Sequence, residues 1–469
     1  MSLSNASRRR FLRTASALGG VLPAAGSGFA LNLASIGAAA AQAAPGDYKA
    51  LVCVFLFGGC DYANTVLATD PESWGAYLAA RGAPPDPIAL DLPEAASARS
   101  VLSVVPASAA TLHAGRSFGL HPNLEPIRAL FAARRAAVVA NVGPLIVPTT
   151  PAQFRAKSVP LPTSLFSHND QQSTWMAFGP EGSRSGWGGR LGDLFAAANP
   201  TPAFTCISAG GNAVFLNGES VTQYQVGSSG AVGINGVGSL YGIAAAPKAV
   251  RATVTEARSH LMERELNRIA SRAIDTGAAL NTAIASSPSF ATIPAGNGLA
   301  SQLQVVAKII GGRASTGAKR QVFMVATGGF DTHDNLVATH GAKMTEVADA
   351  IAWFDGAMDS IGAGGAVTLF TASDFGRTLT SNGDGSDHGW GSHHFVVGGA
   401  VRGGDVYGAF PTIGVNAASD VGSGRLVPGI AVDQYAATMA KWFGLSDTHL
   451  LDVMPNLRAF ASRDLGFMT

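Results

Sequence analysis

The chain has 469 residues, of which only 13% are charged, and its 32 basic and 31 acidic side chains nearly cancel. That balance leaves no basic footprint for nucleic acid, and three cysteines (Cys53, Cys60 and Cys206) form at most one disulfide, which excludes a disulfide scaffold. The length exceeds the roughly 100–200 residues of a typical domain, so there is ample chain to bury a large core.

The first residues read Ser7-Arg8-Arg9-Arg10-Phe11-Leu12-Arg13, followed by an Ala/Gly/Leu-rich stretch that ends in Ala41-Gln42-Ala43. A basic cluster, an apolar stretch and a small-residue end form the layout of a secretory signal. Paired arginines before Phe-Leu match the twin-arginine address, read by its translocase. Residues 1–43 are therefore expected to be a twin-arginine signal peptide, and residues 44–469 a periplasmic or secreted protein that leaves the cytoplasm folded, with any metal or cofactor aboard. A membrane anchor is the alternative, but the stretch is mostly Ala and Gly with Ser and Thr and is only weakly hydrophobic. Residues 1–43 hold four arginines and no acid, so the remainder carries 28 basic and 31 acidic groups, a formal charge of −3. No later segment is long and apolar enough to span a bilayer, so no stable membrane span is expected in the mature protein.

The mature chain opens with an apolar run from Ala50 to Phe57 that ends in Gly58-Gly59-Cys60-Asp61. Continuous apolar runs closed by glycine indicate buried parallel strands. Cys53 lies inside this run and is expected to pack as a small hydrophobe. The same shape recurs at Ala136–Gly143 after a helical pattern around Ile127 to Arg135. It returns at Gln321–Gly329 after a helix near 299–311, and at Ala366–Ser373 after a helix from about Lys343 to Ile361. Strands alternating with helices of this length predict an α/β fold, a mostly parallel sheet covered by helices on both faces. Between them, residues 209–242 are rich in Gly, Ser and Asn and predict loops or a small β insertion. Residues 247–286 predict helix with charged, solvated faces. No internal repeat and no compositional break demands a second domain.

Ligands bind outside the carboxyl ends of strands in open parallel sheets. The residues just past the predicted strands are Asp61, then Asp331 and His333, then Asp374, with Asp387, His388, His393 and His394 shortly after. Carboxylates and imidazoles that converge at one sheet edge suit Zn, Mn or Fe better than Ca. Asp61, Asp331, His333, Asp374, Asp387, His388 and His393 are thus the candidate ligands of one or two divalent ions, Zn or Mn above all. Each has a plainer reading as well, an Asp as a helix cap and a His as a structural residue.

Several motifs together carry a resemblance. They are Phe55-Leu56-Phe57-Gly58-Gly59-Cys60-Asp61, Ser167-His168-Asn169-Asp170-Gln171-Gln172, Gly186-Trp187-Gly188-Gly189-Arg190-Leu191, Gly329-Phe330-Asp331-Thr332-His333, Asp374-Phe375-Gly376-Arg377-Thr378, Asp387-His388-Gly389-Trp390 and Val432-Asp433-Gln434-Tyr435. In order from about Leu51 to Phe443, they resemble the bacterial family catalogued as domain of unknown function 1501. That family distantly resembles the alkaline phosphatase and sulfatase superfamily, which implies a single alkaline-phosphatase-like domain over residues 44–469. It also implies an Asp after the first strand (Asp61), a later Asp/His pair (Asp331 and His333), a late strand-exit Asp (Asp374) and a nucleophile at a helix start. Many superfamily members have His where this chain has Phe375, which leaves His388 or His393 to supply that imidazole.

Ser167, ahead of a helix-like segment, is the candidate nucleophile, or else a plain N-cap in a capping-box pattern with Asp170. Arg377 either clamps an anionic ester or belongs to a structural ion pair. The expected function is a metal-dependent hydrolase of phosphate or sulfate esters on a small-molecule or polymeric substrate, with Ser167 or a metal-activated water as attacking group. The alternative is a non-catalytic cell-envelope or secreted-polymer binding or assembly protein on the same fold.

Overall fold

The computed structural model describes residues 47–108 and 111–469, so the export-signal reading lies outside the described residues. In chain order the strands are β1 (Lys49–Leu56), β2 (Val66–Ala68), β3 (Leu102–Val104), β4 (Phe118–Leu120), β5 (Ala136–Gly143), β6 (Cys206–Ser208), β7 (Tyr224–Gly227), β8 (Gly230–Ala231), β9 (Arg320–Thr327) and β10 (Val367–Ser373). They continue with β11 (Arg377–Ser381), β12 (Ser386–His388), β13 (Ser392–Val397), β14 (Val406–Tyr407) and β15 (Ile430–Ala431). The helices used below are α1 (Pro71–Arg81), α2 (Glu125–Ala132), α3 (His168–Ala177), α4 (Trp187–Phe195), α5 (Leu261–Ala285), α6 (Gly298–Gly311), α7 (Leu336–Ser360) and α8 (Val432–Phe443).

Ten strands form one sheet in the order β14-β5-β13-β10-β1-β9-β6-β7-β8, with β15 also on β5. The four strands read from the sequence lie in it, and β1 sits at its centre. β1 runs parallel to β10 and β9, so that Val52 lies between Leu369 and Phe323. Strand β13 runs antiparallel between β10 and β5. Its sequence, Ser392 to Val397, contains His393 and His394 and has no counterpart among the strands expected from the sequence. The small sheet β3-β4-β2 and the hairpin β11–β12 stand apart from the main sheet.

Successive β1 side chains point to opposite faces, and both faces are buried. Ala50, Val52, Val54 and Leu56 enter a core with residues of α2, α6 and α7. Leu51, Cys53 and Phe55 enter a second core with α3, α4 and α8. That two-sided burial is why β1 carries an unbroken apolar run instead of an alternating one. At roughly 1.5–3 kcal/mol for each large apolar side chain fully removed from water, the two layers fix the sheet and the positions of its strand ends. The fold is the expected α/β arrangement, a mainly parallel sheet with helices on both faces.

The Gly/Ser-rich region holds β7 and β8 and is followed by a helix over Ala246–Thr255 and then α5. All three cysteines are free and buried. No helix among the described residues is long and apolar enough to cross a membrane.

Candidate functional site

Strands β10, β1 and β9 are neighbours and parallel, so their carboxyl ends open onto one edge. Asp374 directly follows β10, and Asp331 stands in the turn after β9. The approach of these turns is close. Gly58 has φ +116°, and a Cβ there would lie 2.4 Å from the backbone nitrogen of Asp331. The β11–β12 hairpin lies on the same turn, where Ser386 N–H donates to the Thr332 carbonyl at 3.0 Å. A Cβ on Gly385 would lie 2.1 Å from the His333 carbonyl oxygen. This packing carries His388, at the end of β12, over Asp331.

Helix α3 closes the site. His168 and Gln172 are four residues apart and therefore share a helix face. Each donates to Oδ2 of Asp374 at 2.7 Å, His168 through Nδ1 and Gln172 through Nε2. Asp374 is fully buried, and its other oxygen, Oδ1, has no hydrogen-bond partner. The hydrogen bond to Asp374, reinforced by its charge, pushes the His168 pKa above the ordinary imidazole value against the effect of partial burial. The other ring nitrogen of His168, Nε2, lies 3.4 Å from Oδ2 of Asp331.

His388 is oriented from behind. Its Nδ1 lies 2.8 Å from the Phe166 carbonyl oxygen, which only accepts, so Nδ1 carries a proton. Arg425 donates to the His388 carbonyl at 2.6 Å and stacks over the Phe166 ring, tying the two together. Burial holds the His388 pKa below the ordinary imidazole range despite the Phe166 bond. The neutral ring then presents the bare Nε2 lone pair to Oδ1 of Asp331 at 3.2 Å and to Nε2 of His333 at 2.9 Å. A lone pair and a carboxylate oxygen so placed need a proton or a cation between them. His333 Nε2, itself 3.1 Å from that oxygen, can supply the proton, and its Nδ1 lies 3.3 Å from Asp387.

Burial would raise the Asp331 carboxyl, but the Arg377 hydrogen bond and charge, with His333 and His388, hold it below the ordinary range. Arg377 is fully buried. It donates to Asp331 at 2.6 Å, to the Gly58 carbonyl at 3.0 Å, and to the hydroxyl and carbonyl of Ser386. These bonds bury the guanidinium beside the β11–β12 hairpin and hold Asp331 in position. One ligand atom each from His168, Asp331 and His388 lie within 4.8 Å of one another.

The other expected site residues fall at graded distances from this cluster. Asp387 is at its exposed rim, through His333. Asp61 lies at the same sheet edge, but both its oxygens are held by Arg81 in a fully buried pair, and it caps the following turn through Ala63 N–H. It does not join the cluster, because its lone pairs already face a guanidinium.

His393 points away into the core. Its Nδ1 accepts from Asn141 N–H at 3.0 Å, its ring stacks on Phe410, and burial pushes its pKa down to about 3. The Phe375 ring instead packs between two other imidazoles, 4.9 Å from that of His168 and 4.7 Å from that of His388. Ser167 is the N-cap of α3, yet its side chain makes no capping hydrogen bond. His168, Gln172 and Phe166 were not singled out in the sequence. The usable signal was the His168/Gln172 spacing within a motif already noted.

Solved structures similar to this chain at low identity include Ps i-CgsB and the PsFucS1 sulfatase. Ps i-CgsB, crystallised in complex with k-i-k-neocarrahexaose, has 9% identity and a TM-score of 0.38, over 89% of this chain and 77% of that one. The PsFucS1 sulfatase from Pseudoalteromonas sp. has 11% identity and a TM-score of 0.34, over 89% of this chain and 71% of that one. No curated protein matches the sequence. A family model described as "Protein of unknown function (DUF1501)" matches residues 48–454, and the chain belongs to that family.

Proposed function

We propose that this protein is a metal-dependent hydrolase of phosphate or sulfate esters, exported through the twin-arginine pathway to the periplasm or beyond. The observation that carries the reading is the pair of imidazoles, each anchored through Nδ1, His168 on Asp374 and His388 on the Phe166 carbonyl, that turn Nε2 toward Asp331. Anchoring the far nitrogen of a histidine fixes its tautomer and raises its basicity, which is how protein sites prepare histidine for a divalent cation. Two imidazoles and a carboxylate fit Zn or Mn. The unpartnered Oδ1 of Asp374 adds a further oxygen beside the anchor.

When bound, such an ion would supply Lewis-acid polarisation of an ester oxygen. The chain's own residues do the rest. Arg377 holds Asp331 in register, while Asp374 and Gln172 fix α3 and its first residue. Ser167, adjacent to His168 and free of a capping bond, is the candidate attacking group, and a water serves in its place if Ser167 is only a cap.

The test is elemental analysis of protein purified with Zn or Mn, beside turnover of aryl sulfate and aryl phosphate esters with and without chelator. The expected result is stoichiometric metal and chelator-sensitive turnover, both lost in His388→Ala. A metal-free protein whose melt ignores chelator would overturn the reading in favour of a non-catalytic binding role in the envelope. Export is tested separately: changing both Arg8 and Arg9 to Lys should retain the precursor in the cytoplasm.

A further inference from the structure

Helix α5 carries an apolar stripe that is covered over one half and bare over the other. Met262, Leu266, Ile269, Ala273 and Leu280 recur at the alternating three- and four-residue spacing, or its seven-residue sum, that defines a helix-pairing seam. Leu280 is fully buried in the core it shares with α6. The same seam then continues uncovered, with Leu266 65% and Met262 70% exposed. Ile269 and Ala273, between Leu266 and Leu280, are also exposed. Large apolar side chains clustered in this way mark a contact surface, because isolated exposed residues would not keep the register.

We propose that this half of α5 pairs antiparallel with α5 of a second copy of the chain, independently of the hydrolase reading. The flanking charges select that occupant. An antiparallel pairing centred between Leu266 and Ile269 sets Leu266 against Ile269 of the second copy and Met262 against Ala273 of the second copy. On that register Glu265 faces Arg272 of the second copy, and two-fold symmetry makes the contact twice. Within one chain Glu265 is held by the exposed Arg268, while Arg272 stands 3.9 Å away. Exposed pairs of this kind are weak and exchange easily. A lipid surface would use the apolar seam but would give no reason for an acid and a base at positions that match under the two-fold.

The experiment is sedimentation velocity on the full mature chain across a wide range of concentration, with lipid vesicles in a parallel arm. The wild type should double its mass as concentration rises, and Leu266→Glu should stay monomeric with an unchanged circular dichroism spectrum and melt. Glu265→Arg and Arg272→Glu should each weaken association by roughly tenfold, since like charges then meet at both ends. The double variant Glu265→Arg with Arg272→Glu should restore it. A wild type that stays monomeric, a dimer that survives Leu266→Glu, a double variant no better than its parents, or a monomer that instead binds vesicles would each overturn the proposal.

Discussion

Asp61 and Arg81 meet as two fully buried side chains, the guanidinium reaching Oδ2 at 2.5 Å and Oδ1 at 2.8 Å. Arg81 closes α1, and Asp61 ends the turn after β1, so one ion pair ties the sheet edge to the first helix. The remaining Arg81 donors go to Asn64 and to the carbonyls of Thr378 and Leu379, which brings in β11. Burial would push the Asp61 carboxyl up, but the Arg81 charge and hydrogen bonds outweigh it and hold the pKa below 3.8.

Arg81→Met should therefore cost about 3–5 kcal/mol at neutral pH, because it leaves Asp61 buried and uncompensated. A folded pKa below the unfolded one gives stability that is present above the unfolded value and is lost as pH falls through the folded value. In the variant Asp61 instead protonates on acidification, so the gap from wild type should narrow. Urea unfolding at neutral and acidic pH checks this, and a gap that stays constant with pH would contradict it.

Asp433 is the opposite case. It lies in the first turn of α8, it is buried, and its Oδ1 has no hydrogen-bond partner. Burial raises its pKa to about 7, against hydrogen bonds from Asn456 and the charge of Arg190. Here the folded state holds the proton more tightly, so stability should fall as pH rises from the ordinary carboxylate range through about 7. Asp433→Asn should be more stable than wild type above that range by on the order of 4 kcal/mol, at 1.36 kcal/mol per pKa unit over the rise from 3.8 to about 7. The two should converge in acid, and thermal melts over a pH series measure both limbs.

Gly58→Ala tests whether backbone approach positions Asp331. The added Cβ meets the Asp331 nitrogen, and φ +116° is a conformation that only glycine adopts freely. The expected loss is about 1–3 kcal/mol of stability, together with weaker binding of Zn or Mn although no ligand is changed. Gly328→Ala is the control, since φ there is not positive and the nearest heavy atom to its Cβ is 4.0 Å away. Equal behaviour of the two variants in a thermal melt would refute the argument.

Asp374→Asn keeps the shape of the side chain but removes the charge that His168 and Gln172 address. With His168 holding the ion as proposed, losing the carboxylate behind it should lower metal affinity about 10–100-fold. His168→Ala or His388→Ala should abolish high-affinity binding. Competition against a chromophoric chelator ranks the three. Wild-type affinity in Asp374→Asn would show that the Asp374–His168 contact serves packing alone.

Strands β1, β5, β9 and β10 were legible because burial on both faces leaves a strand no choice but a continuous apolar run, and such runs announce themselves without any partner. The strand-exit positions of Asp61, Asp331 and Asp374 follow from those runs, since strands covered by crossover helices run parallel and end at one edge. The sequence by itself thus determined these four strands, their two covered faces and the edge at which charge collects.

Only the tertiary structure decided which of those charges are free. Asp61 lost its lone pairs to an arginine twenty residues further on, a pairing that depends on where α1 packs. His388 and His393 are five residues apart in one stretch, yet the turn at Gly389-Trp390-Gly391 sends the first to the site and the second into the core against Phe410. His168 entered the site because α3, far from Asp331 and Asp374 in sequence, docks against the end of β10. Local pattern fixes burial and direction along an element, whereas the identity of a side chain's partner depends on distances that only the packed chain defines.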